Sequence, residues 1–419
     1  MTDSTDLVVV GGGCIGCTIA REMAADHDVI LFERDQIAAE ATGQASGIVQ
    51  PQYQFAHLPR AGRLSFQFFE GLDGHRNYEY TERELVNLHG PDETEAAQEY
   101  TRLVSGGRGY DAEWLSAEEI DERYPGVFEF GDESPIAGGM RYGRMGWIDP
   151  YTFATTMSDD AKDRGADIRT GVEVTDLLVE DGSVAGVETD DGTVRAETVV
   201  VAAGWRSREL VEPHVQVPIQ PERFWHINLD TEAVSNERVA EEYPQFYIDL
   251  DFGDLSGVDA DGYLATFWRP EHNGELHVAG IEGLLSDKPS VKTNAAEEFH
   301  ELLAVQTPRL LQEYDDAVIT SDGCCPSGDA MSPDWLPIID APTDGPDGLV
   351  LATAFSGLGL TASPIAAAAV RQLVSGYGAP FSLETLSLER FDDRSPDFPE
   401  PPFDVFDVSV FEYGPWKTR

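Results

Sequence analysis

Three spaced glycines between an apolar run and a helical pattern constrain the fold of this chain more than any other feature. Residues 7–10 (LVVV) are typical of a buried parallel strand, and Gly11, Gly13 and Gly16 follow them as G-x-G-x-x-G. A helix is predicted over 14–25. Gly11 permits a tight turn, Gly13 lets backbone N–H groups approach a phosphate, and Gly16 lets the helix pack on the strand. The chain therefore opens with a predicted dinucleotide-binding turn.

A carboxylate after the second predicted strand fits the same class of ligand. Residues 29–32 complete a β-α-β unit, and Glu33 follows them directly. Its carboxylate can accept hydrogen bonds from both hydroxyls of an adenosine ribose and would repel a 2′-phosphate. NAD and FAD share this fingerprint, and a glycine-rich turn without a ligand is the structural alternative. Cys14 and Cys17 form a C-x-x-C inside the turn, where a redox pair or metal site is the weaker interpretation; no metal site is predicted.

Small residues recur at three further places along the chain. These segments are 41–47 (ATGQASG), 199–204 (VVVAAG) and 352–361 (ATAFSGLGLT). Glycine and alanine let a backbone approach a ligand closely. Segments so far apart in sequence favour a long, extended ligand that several parts of the chain contact.

The charge of the chain is extreme and limits its partners. There are 77 Asp and Glu against 28 Lys and Arg, which gives a net charge of −49. We expect a solvated acidic shell suited to a high-salt cytoplasm, where screening acts over about 3 Å; a cation-binding or acidic partner surface is the alternative. The charge argues against nucleic acid and anionic membranes as partners. The polar N-terminus and the absence of a long apolar stretch predict a cytoplasmic protein without signal peptide or membrane span.

The pattern of elements predicts an α/β fold with two interleaved domains. Ser116 and Glu119 form a predicted capping box, and helices are predicted over 151–164, 295–305 and 364–374. Alternation over 215–320 predicts an antiparallel sheet. We predict a discontinuous Rossmann-like dinucleotide domain made of residues 1–52, 146–214 and 321–391. An α+β substrate domain built on that sheet is predicted for residues 53–145 and 215–320. Residues 392–419 are predicted to form a C-terminal arm.

These motifs together resemble a known family, the D-amino acid oxidase-type FAD-dependent oxidoreductases, which include D-amino acid dehydrogenase, glycine oxidase and sarcosine oxidase. The resemblance extends to about residue 391. It rests on the glycine fingerprint and on segments at 45–49, 115–125, 146–150, 199–204, 332–339 and 352–361. It implies an FAD-binding Rossmann-like domain with the cofactor extended between the two domains.

The resemblance also implies which residues contact FAD. Gly11, Gly13, Gly16, Glu33 and Arg34 are expected at the ADP part, and the helix after 352–361 is expected to point its N-terminus at the flavin ring. The other implied contacts lie along the pyrophosphate, adenine and flavin: Thr42, Ala45, Ser46, Gly47, Val49, Val174, Gly204, Ser356, Gly357, Leu358, Gly359 and Leu360. Trp205 is expected either near the cofactor or in the core.

The family oxidises a C–H bond beside nitrogen or oxygen by hydride transfer to flavin N5, so a small amine, amino acid or N-alkyl amino acid is the implied substrate. The basic residues that hold a substrate carboxylate in relatives are absent here: residues 323–329 contain no Arg, and Gln50 occupies another such position. His226, Tyr263 and Arg269 are the predicted substrate contacts. Arg223, Arg141 and Arg144 are further candidates.

Three properties stay open at this level. Non-covalent FAD is favoured, with a covalent link through Cys324 or Cys325 as the alternative. None of the four lysines falls on the strands expected over the flavin, which favours a dehydrogenase over an oxidase. The electron acceptor is then a quinone, a carrier protein or oxygen. A 2-hydroxy acid dehydrogenase, a non-catalytic FAD-binding subunit of a hetero-oligomer and a nicotinamide-dependent enzyme are the rival functions.

Overall fold

A computed structural model describes residues 3–51, 55, 58–108, 111–131, 133–251, 263–284, 294–324 and 328–399. Its strands are β1 Asp3–Val10, β2 Val29–Glu33, β3 Ile48–Val49, β4 Thr81–His89, β5 Ala112–Ser116, β6 Gly138–Trp147, β7 Asp167–Thr170, β8 Val174–Glu180, β9 Ser183–Thr189, β10 Gly192–Val201, β11 Gln220–Asp230, β12 Gln245–Asp251, β13 Tyr263–Pro270, β14 Leu276–Leu284, β15 Val318–Cys324, β16 Asp329–Met331, β17 Ile338–Asp340 and β18 Leu349–Thr353.

Nine α-helices lie among the described residues. They are α1 Cys14–Met23, α2 Pro59–Leu72, α3 Thr94–Arg108, α4 Ala117–Arg123, α5 Pro150–Asp163, α6 Ser207–Val211, α7 Asn236–Glu242, α8 Glu297–Leu310 and α9 Gly359–Ser375. Four short 3-10 turns occur at Ala41–Gln44, Gly204–Arg206, Glu384–Leu386 and Leu388–Arg390. Within this described part, no helix is both long and apolar enough to cross a membrane.

The first sheet has the order β17-β18-β10-β1-β2-β7, with the β8–β9 hairpin attached to β10. Strands β10, β1 and β2 run parallel, with Val8 paired to Val199 on one side and to Ile30 on the other. A parallel strand is covered on both faces, which is why β1 reads as an unbroken apolar run. Helices α1, α5 and α9 cover one face, and the β8–β9 hairpin lies over the other.

The second sheet contains the antiparallel strands β15-β11-β14-β13-β12, extended by β4, β6 and β3. One face is packed by α8 in an aromatic core, where Trp225 stacks on Phe299 and Phe246 stacks on Trp268. The other face carries polar side chains, among them His226 and His277, and contacts Ser46 in the segment before β3. The predicted α/β fold, with a Rossmann-like sheet and an antiparallel sheet, is confirmed.

Two predicted helix boundaries are wrong. Helix α9 begins at Gly359 and not at 364, so Pro364 lies inside it. Proline has no N–H for the carbonyl of Leu360, and the Ser363 hydroxyl donates to that carbonyl instead, at 2.9 Å. Helix α8 runs on to Leu310 through Pro308, because its buried face continues with Gln306, Thr307 and Leu310. The capping box of Ser116 and Glu119 at α4 is confirmed. The predicted domain boundaries stay predictions.

Candidate cofactor and substrate site

A cavity of about 420 Å³ opens at the carboxyl ends of β1, β2 and β10. The glycine turn forms its floor, and the backbone permits no larger side chains there. A Cβ atom on Gly16 would stand 1.9 Å from the carbonyl oxygen of Gly11, so only glycine lets α1 approach β1 this closely. Gly11 itself has φ +111°, a conformation that L side chains rarely adopt. The turn therefore has the geometry that its sequence predicted.

The N-terminus of α1 points into this cavity. Gly13 is its N-cap and supplies no side chain, and the Cys14 N–H donates to the Thr42 hydroxyl at 3.0 Å. Unpaired N–H groups and the helix dipole make such an end favourable for a phosphate. Burial raises the pKa of Cys14 to about 11, so this cysteine stays a thiol. A reactive redox cysteine requires a lowered pKa, which argues against the C-x-x-C alternative.

Glu33 lies at one end of the cavity with both carboxylate oxygens held by backbone. One oxygen accepts from the Gly12 N–H at 2.7 Å and the other from the Asp35 N–H at 2.8 Å. A carboxylate has about four acceptor positions, so two remain for a ligand. Burial raises the pKa of Glu33, while the two backbone donors oppose this. The carboxylate is thus preorganised and fits a ribose with two free hydroxyls.

The rim above Glu33 contains an ion-pair bridge that sequence reasoning missed. The carboxylate of Glu40 pairs with Arg34 on one side and with Arg206, at 3.0 Å, on the other. The guanidinium of Arg206 lies 4.4 Å from the centre of the Trp205 ring. Among the described residues, Trp205 Nε1 and Arg206 Nε are buried donors without a hydrogen-bond partner. Orphaned donors on a cavity wall fit the oxygens of a nucleotide.

A second part of the cavity wall is formed by β16 and the approach to α9. Phe355, Gly357 and Leu360 line it together with Asp329, whose carboxylate accepts from the Gly357 N–H at 2.8 Å. Asp329 was not among the predicted site residues. The only signal available for it was its place at the end of residues 323–329, the segment without the arginine of its relatives.

The predicted FAD contacts fall into two groups. Those that line the cavity directly are Gly11, Gly13, Glu33, Arg34, Thr42, Ala45, Val174, Gly204, Gly357, Gly359 and Leu360. The other predicted contacts are not among the residues that line the cavity: Gly16, Ser46, Gly47, Val49, Ser356 and Leu358. Trp205 also lines the cavity. The residues present therefore fit a bound FAD, and each named contact stays a prediction.

Arg269 joins the antiparallel sheet to the segment predicted to hold the flavin. Its Nε donates to the Ser46 carbonyl at 2.6 Å, and its Nη2 pairs with Glu271 at 2.9 Å. The guanidinium lies 4.4 Å from the centre of the Trp147 ring. The side chain is 7% exposed, and Nη1 is buried without a partner among the described residues. One donor of a well-held cation is thus still available.

A neutral histidine stands beside this arginine. His277 contacts the Ser46 hydroxyl through Nε2 at 3.0 Å and Asn228 Oδ1 through Nδ1 at 2.8 Å. Burial, together with the nearby Arg269 charge, lowers the pKa of His277 well below its ordinary value. The ring is therefore uncharged near neutral pH. Sequence reasoning missed His277 because its partners are distant in the chain.

The other predicted substrate contacts lie in different surroundings. His226 is on the same sheet face, with its ring 5.6 Å from that of His277, and burial lowers its pKa. The backbone of Tyr263 begins β13. Arg223 is buried on β11. Gln50 is buried, and its Oε1 has no hydrogen-bond partner among the described residues.

Two of the further arginine candidates are neutralised elsewhere. Arg141 is buried between three carboxylates: Glu84 at 2.8 Å, Asp111 at 2.9 Å and Glu113 at 2.6 Å. Arg144 is exposed and pairs with Glu70. Neither lines the cavity, and nor do Arg269 or His226. Arg141 already has three carboxylate partners and Arg144 is exposed, so these two are poorer candidates than Arg269, whose Nη1 has no partner among the described residues.

Only some of the cysteines and lysines named in the predictions lie within the described residues. Cys324 is a buried cysteine on β15, opposite Trp225 of β11, and Cys325 lies outside the described residues. Lys162 lies on α5, where it pairs with Asp159 at 3.1 Å. The three other lysines, Lys288, Lys292 and Lys417, are outside the described residues.

Comparison with known proteins supports the same class of site. Residues 6–373 match the model of the family described as DAO, FAD dependent oxidoreductase. The chain is 23% identical to the mitochondrial dimethylglycine dehydrogenase of Homo sapiens over 99% of its own length and 45% of that protein. It is 29% identical to the sarcosine oxidase subunit beta of an Arthrobacter species, over 52% of the chain and 55% of the subunit.

Solved structures share the fold. The crystal structure of L-proline dehydrogenase from P. horikoshii superimposes with a TM-score of 0.79 at 19% identity, covering 94% of this chain and 99% of that one. The chain spans about half the length of the two curated relatives given above. Their activities are therefore guides to this chain and not assignments.

Proposed function

The chain belongs to the DAO family of FAD dependent oxidoreductases, and we propose that it oxidises a C–H bond beside nitrogen in an amino acid or N-alkyl amino acid. The cavity carries this proposal. It runs from a ribose-type carboxylate at Glu33, past the helix N-terminus at Gly13, to a second polar end at Asp329. A long, bipartite cofactor such as FAD fits this arrangement, with its reactive part at the Asp329 end.

Each part of the wall would have a definite task towards FAD. Glu33 would accept the ribose hydroxyls, and the N-terminus of α1 would face the pyrophosphate. The segment at Gly357 to Leu360 would lie against the pyrimidine end, where the N-terminus of α9 favours negative charge. When bound, the flavin accepts the hydride that leaves the substrate carbon. The protein's own contribution is orientation, exclusion of water and control of charge.

The polar face of the antiparallel sheet would hold the substrate. Arg269 keeps one donor, Nη1, without a partner among the described residues, and it is fixed in place by Ser46 and Glu271. A carboxylate is the group that best satisfies a buried guanidinium N–H. We propose His226, on the same face of the sheet, and Tyr263 as the other substrate contacts. The names of the relatives, dimethylglycine dehydrogenase and sarcosine oxidase, are consistent with a small amino acid.

We favour a dehydrogenase over an oxidase. Reduced flavin reacts faster with oxygen when a fixed positive charge is close to it. His277, whose Nε2 contacts the Ser46 hydroxyl, is held neutral, and the charge of Arg269 is matched by Glu271. Lys162 is on α5, in an ion pair with Asp159. The proposed electron acceptor is accordingly a quinone or a carrier protein, with oxygen as the slower one.

A second function is favoured by one observation. The chain matches about half of a protein named as a subunit of sarcosine oxidase. It could accordingly act as the FAD-binding subunit of a hetero-oligomer, catalytic only with its partner. Purification of the native complex at high salt would detect such a partner by its constant stoichiometry.

The test is an anaerobic substrate screen of the FAD-loaded protein at high salt, followed by the visible absorbance of the flavin. The panel contains D- and L-amino acids, glycine, sarcosine, dimethylglycine, proline and 2-hydroxy acids. We expect an amine substrate to bleach the flavin and air to restore its colour slowly. Bleaching by 2-hydroxy acids alone would contradict the proposal. A protein that takes up no FAD would overturn the cofactor assignment itself.

A further inference from the structure

Asp329 is a carboxylate in the cavity wall that the cofactor contacts proposed above do not use. It begins β16, and its side chain is partly exposed to the cavity while the surrounding protein shields it from bulk solvent. The neighbouring wall is apolar or backbone: Ala330, Phe355 and Leu360. A charged group in such a place is costly unless something compensates for it.

The hydrogen bonds of Asp329 leave room for a ligand. Oδ1 accepts from the Ala330 N–H at 2.7 Å, and Oδ2 accepts from the Gly357 N–H at 2.8 Å. Each oxygen has a second acceptor position, so the carboxylate is held in a fixed orientation with two positions unused. The two anchoring donors belong to different elements, β16 and the approach to α9, and together they fix the side chain at the cavity surface.

No cation neutralises Asp329 within the described part of the chain. Its ion pairs would have to come from the elements packed around it, and no ion pair with Asp329 forms among their described residues, Arg223 on β11 included. Glu222 on β11 stands opposite it in register and is another buried carboxylate, and Cys14 on α1 is a thiol. Arg206, on the turn beside β16, pairs with Glu40 instead. Burial raises the pKa of Asp329, which makes its carboxylate a better proton acceptor than that of an exposed aspartate.

We propose that Asp329 is the catalytic base of this site: it binds the cationic amine of the substrate and accepts its proton. This inference rests on the proposed function. Amines are mainly ammonium ions at neutral pH, and a nitrogen without a lone pair cannot assist departure of a hydride from the neighbouring carbon. A carboxylate at the reactive end of the cavity answers both requirements, since it attracts the cation and then removes the proton.

The step balances within the groups named. The ammonium N–H bond breaks and an O–H bond forms on Asp329, while the electron pair of the broken bond stays on nitrogen as its lone pair. The Asp329 carboxyl and the substrate amine are then both neutral. The hydride and its two electrons leave the carbon in the FAD-dependent oxidation that the family carries out. The proton on Asp329 returns to solvent when the product leaves.

The test compares Asp329→Asn with wild type across pH, as FAD-loaded proteins, using the best amine from the screen. The amide keeps the shape but cannot accept the proton. We expect kcat/KM to fall about 10²-fold near pH 7. The deficit should shrink by about tenfold per pH unit towards the pKa of the free amine, because more substrate then arrives already neutral. Asp340→Asn is the matched control, since Asp340 anchors Ser387 and Leu388 in the same manner away from the cavity.

Two further readouts separate this role from others. The flavin reduction potential and the FAD content of Asp329→Asn show whether the carboxylate acts on the cofactor. A deficit that is the same at every pH, with a changed potential or FAD content, would overturn the proposal in favour of a supporting role. Unchanged kinetics would overturn it as well. If no amine reduces the flavin of the wild-type protein, the proposed function itself is wrong, and this result is distinct from a failure of the Asp329 proposal.

Discussion

Replacement of Glu33 by glutamine is the sharpest test of how the cofactor is held. The Glu33 carboxylate serves the Gly12 and Asp35 N–H groups and keeps two acceptor positions for the ribose. An amide has one oxygen, so Glu33→Gln must lose charged hydrogen bonds to the ligand, to the backbone or to both. We expect FAD affinity to weaken by about 1–3 kcal/mol, or roughly 5- to 150-fold in Kd.

The assay is titration of the apoprotein with FAD, followed by quenching of flavin fluorescence. Asp35→Asn is the matched control because it removes the same charge from an exposed side chain two residues away. Thermal unfolding of both apoproteins separates a loss of ligand contact from a loss of backbone support. An unchanged Kd for Glu33→Gln would refute the ribose assignment. An equal loss in both variants would show that only the local charge matters.

The same carboxylate predicts how FAD binding depends on pH. Burial raises the pKa of Glu33 in the free protein, and the ribose hydroxyls need its ionised form. FAD affinity should therefore fall as the pH is lowered, beginning above the ordinary glutamate pKa of 4.5. In Glu33→Gln this pH dependence should be absent, which titrations at several pH values would test.

Three other changes test separate parts of the structure. Glu40→Gln removes both ion pairs of the rim, so FAD release should become roughly 2- to 5-fold faster at low salt, as a displacement assay would measure. Asp160→Asn should cost about 2 kcal/mol of unfolding free energy at neutral pH, because hydrogen bonds from His75, Arg76 and Arg21 outweigh burial and lower the pKa of Asp160 from 3.8 to about 2. That deficit should vanish in denaturant titrations as the pH falls through this range, where the wild-type carboxylate is itself protonated. Arg269→Met should lower kcat/KM roughly 10- to 100-fold with little effect on FAD binding, whereas Arg144→Met should change neither.

The local features of the chain were predictable because their causes are local. The glycine turn, Glu33 after β2 and the capping box at Ser116 each depend on residues within one turn or one strand. The start of α9 was not predictable by the same rules. A proline usually marks a first turn, but Pro364 is tolerated inside the helix because the Ser363 hydroxyl takes over the freed carbonyl.

The features that sequence reasoning missed depend on long-range contacts. Ser46 and His277 are 231 residues apart, and only the tertiary fold brings β14 against the segment before β3. Glu40 meets Arg206 across 166 residues. No spacing or periodicity carries such information, and a histidine or glutamate in a strand or loop has many ordinary explanations. Arg269 was predicted as a substrate contact, but its anchors could not be.

The acidic composition of the chain makes Asp329 impossible to single out from the sequence. With 77 acidic residues in the chain, the sequence gives no reason to select Asp329 among them. The structure distinguishes them by what compensates each charge. Glu40 has two arginines, and Glu33 has two backbone donors and is proposed to accept the ribose hydroxyls. Asp329 also has two backbone donors, in the part of the cavity where the reactive part of the cofactor is proposed to lie. A solvated shell requires no such placement, so the position of Asp329 is best explained by a cation that arrives with the substrate.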